Sequence, residues 1–308
     1  MRSVVFAYHD IGYVCLQELL RTGDTVAAVV THEDDPNEEV WFRSVRRLAA
    51  TRGLAVFTPA NVNTTAWIER VEGWQPDFIF SFYYRMILPK EMLAIPRRGG
   101  LNLHGSLLPR YRGRCPVNWV LIRDEHETGV TLHYMEEKPD RGDIVAQRAV
   151  PITDADTART LFAKLTAAAA ELVRDTYPLL RAGTAPRTPQ DHTRASYGRA
   201  RHPEDGRIDW TWAARRIFNL VRAVTHPYPG AFTSWHGRTL YVWAARLLPA
   251  AAPSGALPGT IVTVRPALQV QTGSGPIELS RVQLEREAER SGAEWAAAYG
   301  VPAGMRLT

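Results

Sequence analysis

Short apolar runs alternating with stretches of helical periodicity constrain this chain most, because few architectures bury both kinds of segment at once. Ser3 to Ala7 is a short apolar run. After the turn His9-Asp10-Ile11-Gly12, Leu16, Leu19 and Leu20 follow at helical spacing. Val26 to Thr31 is a second apolar run, and Trp41, Val45, Leu48 and Ala49 keep a helical period behind it. Phe78 to Phe82, introduced by Pro76-Asp77, reads as a further buried strand, with a short helix near Lys90 to Ala94 and a strand from Leu101 to His104. Pro116 to Ile122 reads as a helix opened by proline. Gly129 to Met135 and Ile144 to Val150 read as later strands. A long helix is expected from Thr157, capped by Asp156 or Thr157, with Leu161, Leu165, Leu172 and Leu179 along one face. The expectation is an α/β fold, a doubly wound and mostly parallel sheet with helices on both faces.

Beyond Ala182 the text changes to GTAPRTPQDHTRASYGRARHPEDGR, polar and rich in Pro and Gly, which reads as a linker. Then come a helix through Ile217, Leu220 and Val221 and five short β-like runs. These are Ala231 to Trp235, Thr239 to Leu247, Thr260 to Val264, Leu268 to Gln271 and Ile277 to Val282. Five short strands separated by turn residues predict a small OB-like β-barrel. The alanine run Ala250 to Ala252 between Pro249 and Pro253 reads as a local loop. The expected organisation is a catalytic domain over 1–190, a linker over 191–206 and an OB-like domain over 207–308.

The 308 residues, 45% of them apolar, are enough for one full core and for a second small domain. The net charge of +5 is spread over scattered arginines, among them Arg43, Arg46, Arg47, Arg97, Arg98 and Arg110, so it does not mark a nucleic-acid surface. Two cysteines, Cys15 and Cys115, lie far apart without a CxxC or histidine cluster. They point to neither disulfide nor zinc, and no metal is expected. No apolar run approaches the roughly 18 residues of a membrane helix. The N-terminus MRSVVFAYHD is too short a run for a signal peptide, so a cytoplasmic location is expected. The turn after the first strand reads AYHDIG and lacks GxGxxG, which disfavours a dinucleotide oxidoreductase. No GxxxxGK[ST] or GxSxG is present either.

The chemistry is concentrated in Gly100 to Arg114, GLNLHGSLLPRYRGR, and in Asp140 within EEKPDRGD. Asn102 and His104 stand two apart in a strand, so both side chains leave the same face. An amide donor then lies beside an imidazole. A carboxylate from the later Gly-containing loop, Asp140, completes a donor, base and relay set of the kind acyl transfer requires. Gly105 allows a sharp turn, Ser106-Leu107-Leu108-Pro109 a rigid exit, and Tyr111-Arg112-Gly113 a second turn. Ser106 is read as a residue that holds this turn.

The run NLHGSLLPRYRGR, Asn118-Trp119, Glu127 to His133, and Asp140 to Ile144 with Ala146-Gln147 resemble the formyltransferases that use N10-formyltetrahydrofolate. With VVFAYHDIG, THEDDP, IFSFYYRMIL and YPGAF, the likeness extends over the chain. It is greatest to the UDP-4-amino-4-deoxy-L-arabinose formyltransferase half of the bifunctional lipid A modification enzyme, without that enzyme's dehydrogenase-decarboxylase half.

The resemblance implies N10-formyltetrahydrofolate as co-substrate and three roles. Asn102 donates to the formyl oxygen as it becomes an oxyanion. His104 accepts the amine proton or stabilises the oxyanion. Asp140 orients His104 and receives or relays the proton. Arg85-Met86-Ile87-Leu88 corresponds to the folate loop, with Asp143 and Ile144 on the opposite wall of the slot. The first-turn residues His9, Asp10 and Gly12, the loop about Asp34 to Asn37, and Arg112 and Arg114 are candidates for the nucleotide or phosphate side.

The acidic loop HEDDPNEEVW would repel phosphate, so tRNA is disfavoured as acceptor and no nucleic-acid partner is expected. The expected acceptor is the amine of a UDP-linked 4-amino sugar. The alternatives are methionyl-tRNA, another amino sugar, or water in a formyltetrahydrofolate hydrolase. A homo-oligomer is compatible with this reading.

Overall fold

The first strand, β1 (Arg2–Ala7), is buried along Val4, Val5, Phe6 and Ala7, as a strand covered on both faces must be. The computed structural model describes residues 1–35, 39–249 and 255–308. After β1 the chain runs through α1 (His9–Arg21), β2 (Thr25–Val30), α2 (Val45–Thr51), β3 (Val56–Phe57), α3 (Thr65–Gly73), β4 (Phe78–Phe82), α4 (Lys90–Leu93) and β5 (Gly100–His104). It continues with β6 (Arg112–Gly113), α5 (Pro116–Ile122), β7 (Glu127–Tyr134), β8 (Ile144–Pro151) and α6 (Ala158–Ala182). Among the described residues the sheet has the order β3-β2-β1-β4-β5-β7-β8, parallel up to β5 and antiparallel at β7 and β8.

Side chains alternate across this sheet. Val4, Phe6 and Ile79 join a cluster with Val62, Val71, Leu88 and Met92 from α3, α4 and their flanks. Phe80 faces the other way, its ring 6.2 Å from that of Tyr177 on α6, and Tyr177 donates to Asp24. The parallel strands therefore lie between two layers of apolar side chains.

Several expectations need adjustment. His9 to Gly12 form the first turn of α1 and not the turn before it. Gly12 is packed closely, since a Cβ would lie 3.0 Å from Phe82 O and 3.1 Å from Ala7. Trp41 lies outside α2 because the Ser44 hydroxyl accepts from Arg47 N at 3.2 Å and starts the helix there. Leu179 is 42% exposed, whereas Leu161, Leu165, Leu172 and Leu180 are buried. The buried stripe along α6 drifts, and past Pro178 Leu180 is the side chain it takes. The Thr157 hydroxyl, which accepts from Thr160 N at 3.3 Å, opens α6.

The stretch read as a linker is also structured. β9 (Tyr197–Gly198) pairs in parallel with β6, and Thr188 and Ile144 exchange backbone hydrogen bonds of 2.9 and 2.8 Å. Composition misled here because the segment borrows its order from partners about 45 to 85 residues away, and a local pattern does not carry that information.

The chain divides into two compact units, one of 1–116, 127–151 and 162–199, the other of 117–126, 152–161 and 200–308. The second unit holds α7 (Ala214–Val224), β10 (Ala231–Trp235), β11 (Arg238–Leu247), β12 (Ile261–Thr263), β13 (Gln269–Thr272), β14 (Gly275–Leu284), β15 (Arg290–Ser291) and α8 (Gly292–Ala298). Its antiparallel path is β10-β11-β14-β13-β12, with β15 on β14. The chain end connects the two ends of this path. Met305 and Leu307 bond to Ile261 and Gly259, while Thr308 and Ser234 exchange bonds of 2.7 and 3.1 Å. A strand-like tail thus satisfies both open edges. Ala250 to Ala252 and Pro253, read as a loop, lie outside the described residues.

Candidate active site

Asn102 and His104 end β5, and the antiparallel register sets His133 opposite Asn102 and Thr131 opposite His104 on β7. The two-residue period therefore brings four side chains to one patch. Asn102 Nδ2 lies 3.2 Å from His133 Nε2. Asp140 Oδ1 lies 3.5 Å from His104 Nδ1 and 3.6 Å from His133 Nε2. The other carboxylate oxygen, Oδ2, accepts from Gly113 N at 2.8 Å. Asn102 and His104 thus share one face, as their two-residue spacing predicts, and the loop after β7 brings Asp140 to them. His133 is a fourth member that the motif reading left unassigned. Its sequence signal is Thr131-x-His133, a second polar pair of period two, legible only once β7 is known to pair with β5.

The tautomers follow from the outer contacts. His104 Nε2 lies 2.7 Å from Tyr111 O and His133 Nδ1 lies 2.8 Å from Tyr134 O. A carbonyl only accepts, so each of these nitrogens carries a hydrogen. The other ring nitrogens, His104 Nδ1 and His133 Nε2, are turned toward one carboxylate. A proton arriving on either is met by a negative charge within about 4 Å in a buried setting, where the attraction is much stronger than in water. Burial pushes the Asp140 carboxyl up, but positive charge on His104, the contact with His133 and the Gly113 N–H outweigh it. They hold the carboxyl well below the usual carboxylate range. Asp140 is an anion throughout the physiological range.

The loops around this patch carry unusual backbone. Tyr83, Tyr111, Cys115 and Asp140 adopt φ of 58°, 59°, 55° and 59°, each a left-handed conformation that costs a non-glycine residue on the order of 1 kcal/mol or more. A Cβ on Gly105 would collide with the Tyr83 hydroxyl, which would have to move to make room. The Ser106 hydroxyl donates to Arg110 O at 2.7 Å and holds the turn. Gln147 Nε2 donates to Leu108 O and Thr131 Oγ1, both at 2.9 Å, tying the turn to the sheet.

The remaining sequence-selected residues divide. At the ends of β1, β2 and β4 a second cluster forms, at the point where strand order reverses and open α/β sheets leave a crevice. Tyr8 donates to Asp34 at 3.1 Å, Arg85 N donates to His32 Nε2 at 3.0 Å, and the Arg85 guanidinium lies 4.8 Å from the Tyr8 ring centre. His9 packs among Trp41, Phe42 and Phe162, with ring centres 4.0 to 4.6 Å away. Ile87 is 64% exposed and Met86 half-buried, whereas Leu88 is buried in the core and offers no side chain to a ligand. Asp10 is engaged by Arg43 at 2.6 Å, and Asp143 by Arg187 at 2.8 Å. Ile144 pairs with Thr188 through its backbone.

Arg112 is a correction. It is 1% exposed and its guanidinium is bound by Gln190, His192 and Tyr197, so it does not reach a phosphate. Buried stems of this kind are invisible in the sequence, where arginines read as exposed. Arg114 is exposed, its backbone N–H donating to Gly198 O at 2.9 Å. Asn37 lies outside the described residues. Among the described residues there is no group of metal-ligating side chains, and no helix is long and apolar enough to cross a membrane.

Burial pushes the His9 imidazole down to about 4, opposed by Asp10 and reinforced by Arg85. Burial and then Arg85 push His32 down to about 4 as well. The unfolded chain protonates histidine near 6.5. Unfolding therefore takes up protons between about pH 6.5 and 4, and stability is expected to fall as pH is lowered through that window. Urea midpoints measured from about pH 7 to 4.5 should show this. His9→Asn, which suits the left-handed backbone at φ 64°, should flatten the dependence, and an unchanged slope would reject the assignment.

Residues 1–176 match the family model described as formyl transferase, and residues 201–300 match that of the formyl transferase C-terminal domain. Among solved structures, an N-formyltransferase from Helicobacter canadensis in complex with folinic acid and dTDP-3-aminofucose superposes with a TM-score of 0.69 at 19% identity, covering 90% of this chain and 98% of that one. WlaRD, a sugar 3N-formyl transferase in the presence of dTDP and 5-N-formyl-THF, gives 0.69 at 18%, covering 94% and 99%. HypX from Aquifex aeolicus in complex with tetrahydrofolic acid gives 0.64 at 18%, covering 98% of this chain and 48% of that one. This chain spans about half the length of HypX. At these identities the likeness establishes the fold.

Proposed function

The chain belongs to the formyl transferase family, and on that footing we propose that it transfers the formyl group of N10-formyltetrahydrofolate to the amine of a nucleotide-linked amino sugar. The observation that carries this is the convergence of Asn102, His104 and His133 on the paired strands β5 and β7 with Asp140 from the loop after β7. N10-formyltetrahydrofolate supplies an activated formyl carbon. A flat pteridine needs an apolar wall beside polar backbone groups. The loop of Arg85, Met86, Ile87 and Leu88 fits that need through the exposed Ile87 and the half-buried Met86. Asp143 and Ile144 are assigned to the opposite wall.

In this mechanism Asn102 donates to the formyl oxygen as the amine adds to the carbon and negative charge develops there. The attacking nitrogen must lose one proton, and the folate nitrogen released from the carbon must gain one. The His104 and Asp140 pair carries the first proton. His104 Nε2–H stays on Tyr111 O, so the exchangeable position is Nδ1, facing Asp140. His133 accepts from the Asn102 amide and fixes its orientation. His9, Asp34 and Arg114 are assigned to the nucleotide side. Residues 1–190 hold the reacting groups.

For the acceptor, the sequence resemblance favours UDP-4-amino-4-deoxy-L-arabinose and a place in lipid A modification. The two sugar formyltransferases of similar fold favour a dTDP-linked 3-amino sugar as the second reading. Purified protein with N10-formyltetrahydrofolate and each sugar nucleotide should yield tetrahydrofolate and N-formyl sugar in equal amounts, followed by mass spectrometry. Release of formate without formylated sugar would replace the transferase by a hydrolase.

A further inference from the structure

The segment 188–198 lies between the two family matches, and we propose that its Gln190, gripped by Arg112, is a positioning residue for Asp140. Gln190 is 7% exposed. Its Oε1 accepts from Arg112 Nη2 at 2.6 Å and Nε at 3.3 Å. Arginine only donates, so the amide oxygen must face Arg112 and the amide nitrogen must face away from it. That nitrogen donates to Asp140 O at 3.1 Å and to Gly142 O at 2.7 Å. The orientation of Gln190 is therefore dictated by Arg112, and both of its hydrogens go to the loop that carries Asp140.

That loop needs holding. Asp140 sits at φ 59°, and Gly142 is packed so tightly on Tyr134 O that a Cβ would collide. The partner of the Asp140 carboxylate, Gly113 N–H, is fixed by the same segment. Arg112 N donates to Ser196 O at 2.8 Å and Arg114 N to Gly198 O at 2.9 Å, on either side of Gly113. Arg112 itself is clamped further by Tyr197 OH at 3.2 Å and His192 Nδ1 at 2.9 Å. One segment thus fixes the backbone of Asp140 through Gln190 and the donor to its side chain through β6. Misplacing a reacting group by an ångström costs on the order of 100-fold in rate.

The catalytic consequence rests on the formyl transfer reading, and the test separates the two. Gln190→Glu keeps the shape and the contact to Arg112 but replaces both donated hydrogens by lone pairs facing two carbonyls. In it, kcat should fall by about 10- to 100-fold with both KM values within about threefold. The imidazole nitrogen resonances of His104 and His133 should shift in the direction seen in Asp140→Asn. Gln190→Met, which removes the Oε1 acceptor and both donated hydrogens while Tyr197 and His192 still hold Arg112, serves if the glutamate variant does not fold. Arg112→Lys, which keeps the charge and loses the two-point grip, should reproduce the same shift in smaller degree. Histidine resonances identical to wild type in a folded Gln190 variant would overturn the proposal, whatever the activity. If wild-type protein formylates none of the sugars, the resonances alone decide the role of Gln190, and only the reaction assignment falls.

Discussion

Asp140→Asn is expected to lower kcat by about 1000-fold, equivalent to about 4 kcal/mol of transition-state stabilisation, while leaving the fold intact. Asparagine tolerates the left-handed backbone at this position, and its side-chain oxygen can still accept from Gly113 N. What it removes is the charge that faces His104 Nδ1 and His133 Nε2. Steady-state kinetics should show the loss in kcat, with KM for the folate little changed. A variant within tenfold of wild type would remove the carboxylate from the mechanism.

The stability effect of the same substitution has a definite sign. The Asp140 carboxyl is held below its ordinary range in the folded state, so its contribution is full above about pH 4 and lost as pH falls toward the folded value. The difference in urea midpoint between variant and wild type should therefore be present at neutral pH and shrink in acid.

Asn102→Ala is expected to reduce kcat by about 100- to 1000-fold, the range for loss of one oxyanion donor. Only one amide hydrogen of Asn102 is committed to His133, which leaves the second for the formyl oxygen. The side chain is half-buried, so its removal should cost no more than about 1 to 2 kcal/mol of stability, much of it from the unsatisfied His133 Nε2. Activity and melting temperature measured on the same preparation discriminate. A loss of turnover explained entirely by unfolded protein would assign Asn102 a purely structural role.

The alternation of apolar strands and amphipathic helices in the first 150 residues was readable because each element is specified locally. Phe78 to Phe82, Pro116 to Ile122 and Ala231 to Trp235 match their observed limits. Asn102 and His104 were readable for the same reason, since a two-residue period in one strand decides which face they share. His133 was less so, because its role depends on the register of β7 against β5. Arg112, a candidate for the phosphate side in the sequence, and Gln190, in a stretch that reads as polar connection, have roles the sequence does not show, because burial and partnership are properties of the folded chain.

By itself the sequence determined many of the strands and helices, though not α3, α8 or the two-residue strands, that a carboxamide and an imidazole leave one strand end together, and that Asp140 lies in a tight loop. These follow from backbone geometry and from chemistry within a few residues. Only the tertiary structure decided that two histidines share one carboxylate, that Leu88 and Arg112 are buried and Gly12 closely packed, and that residues 188–198 grip the loop of Asp140. Those outcomes depend on which backbone donors and acceptors meet across 30 to 90 residues. The free energy of such pairings comes from burial and directed hydrogen bonds that exist only after the chain has folded.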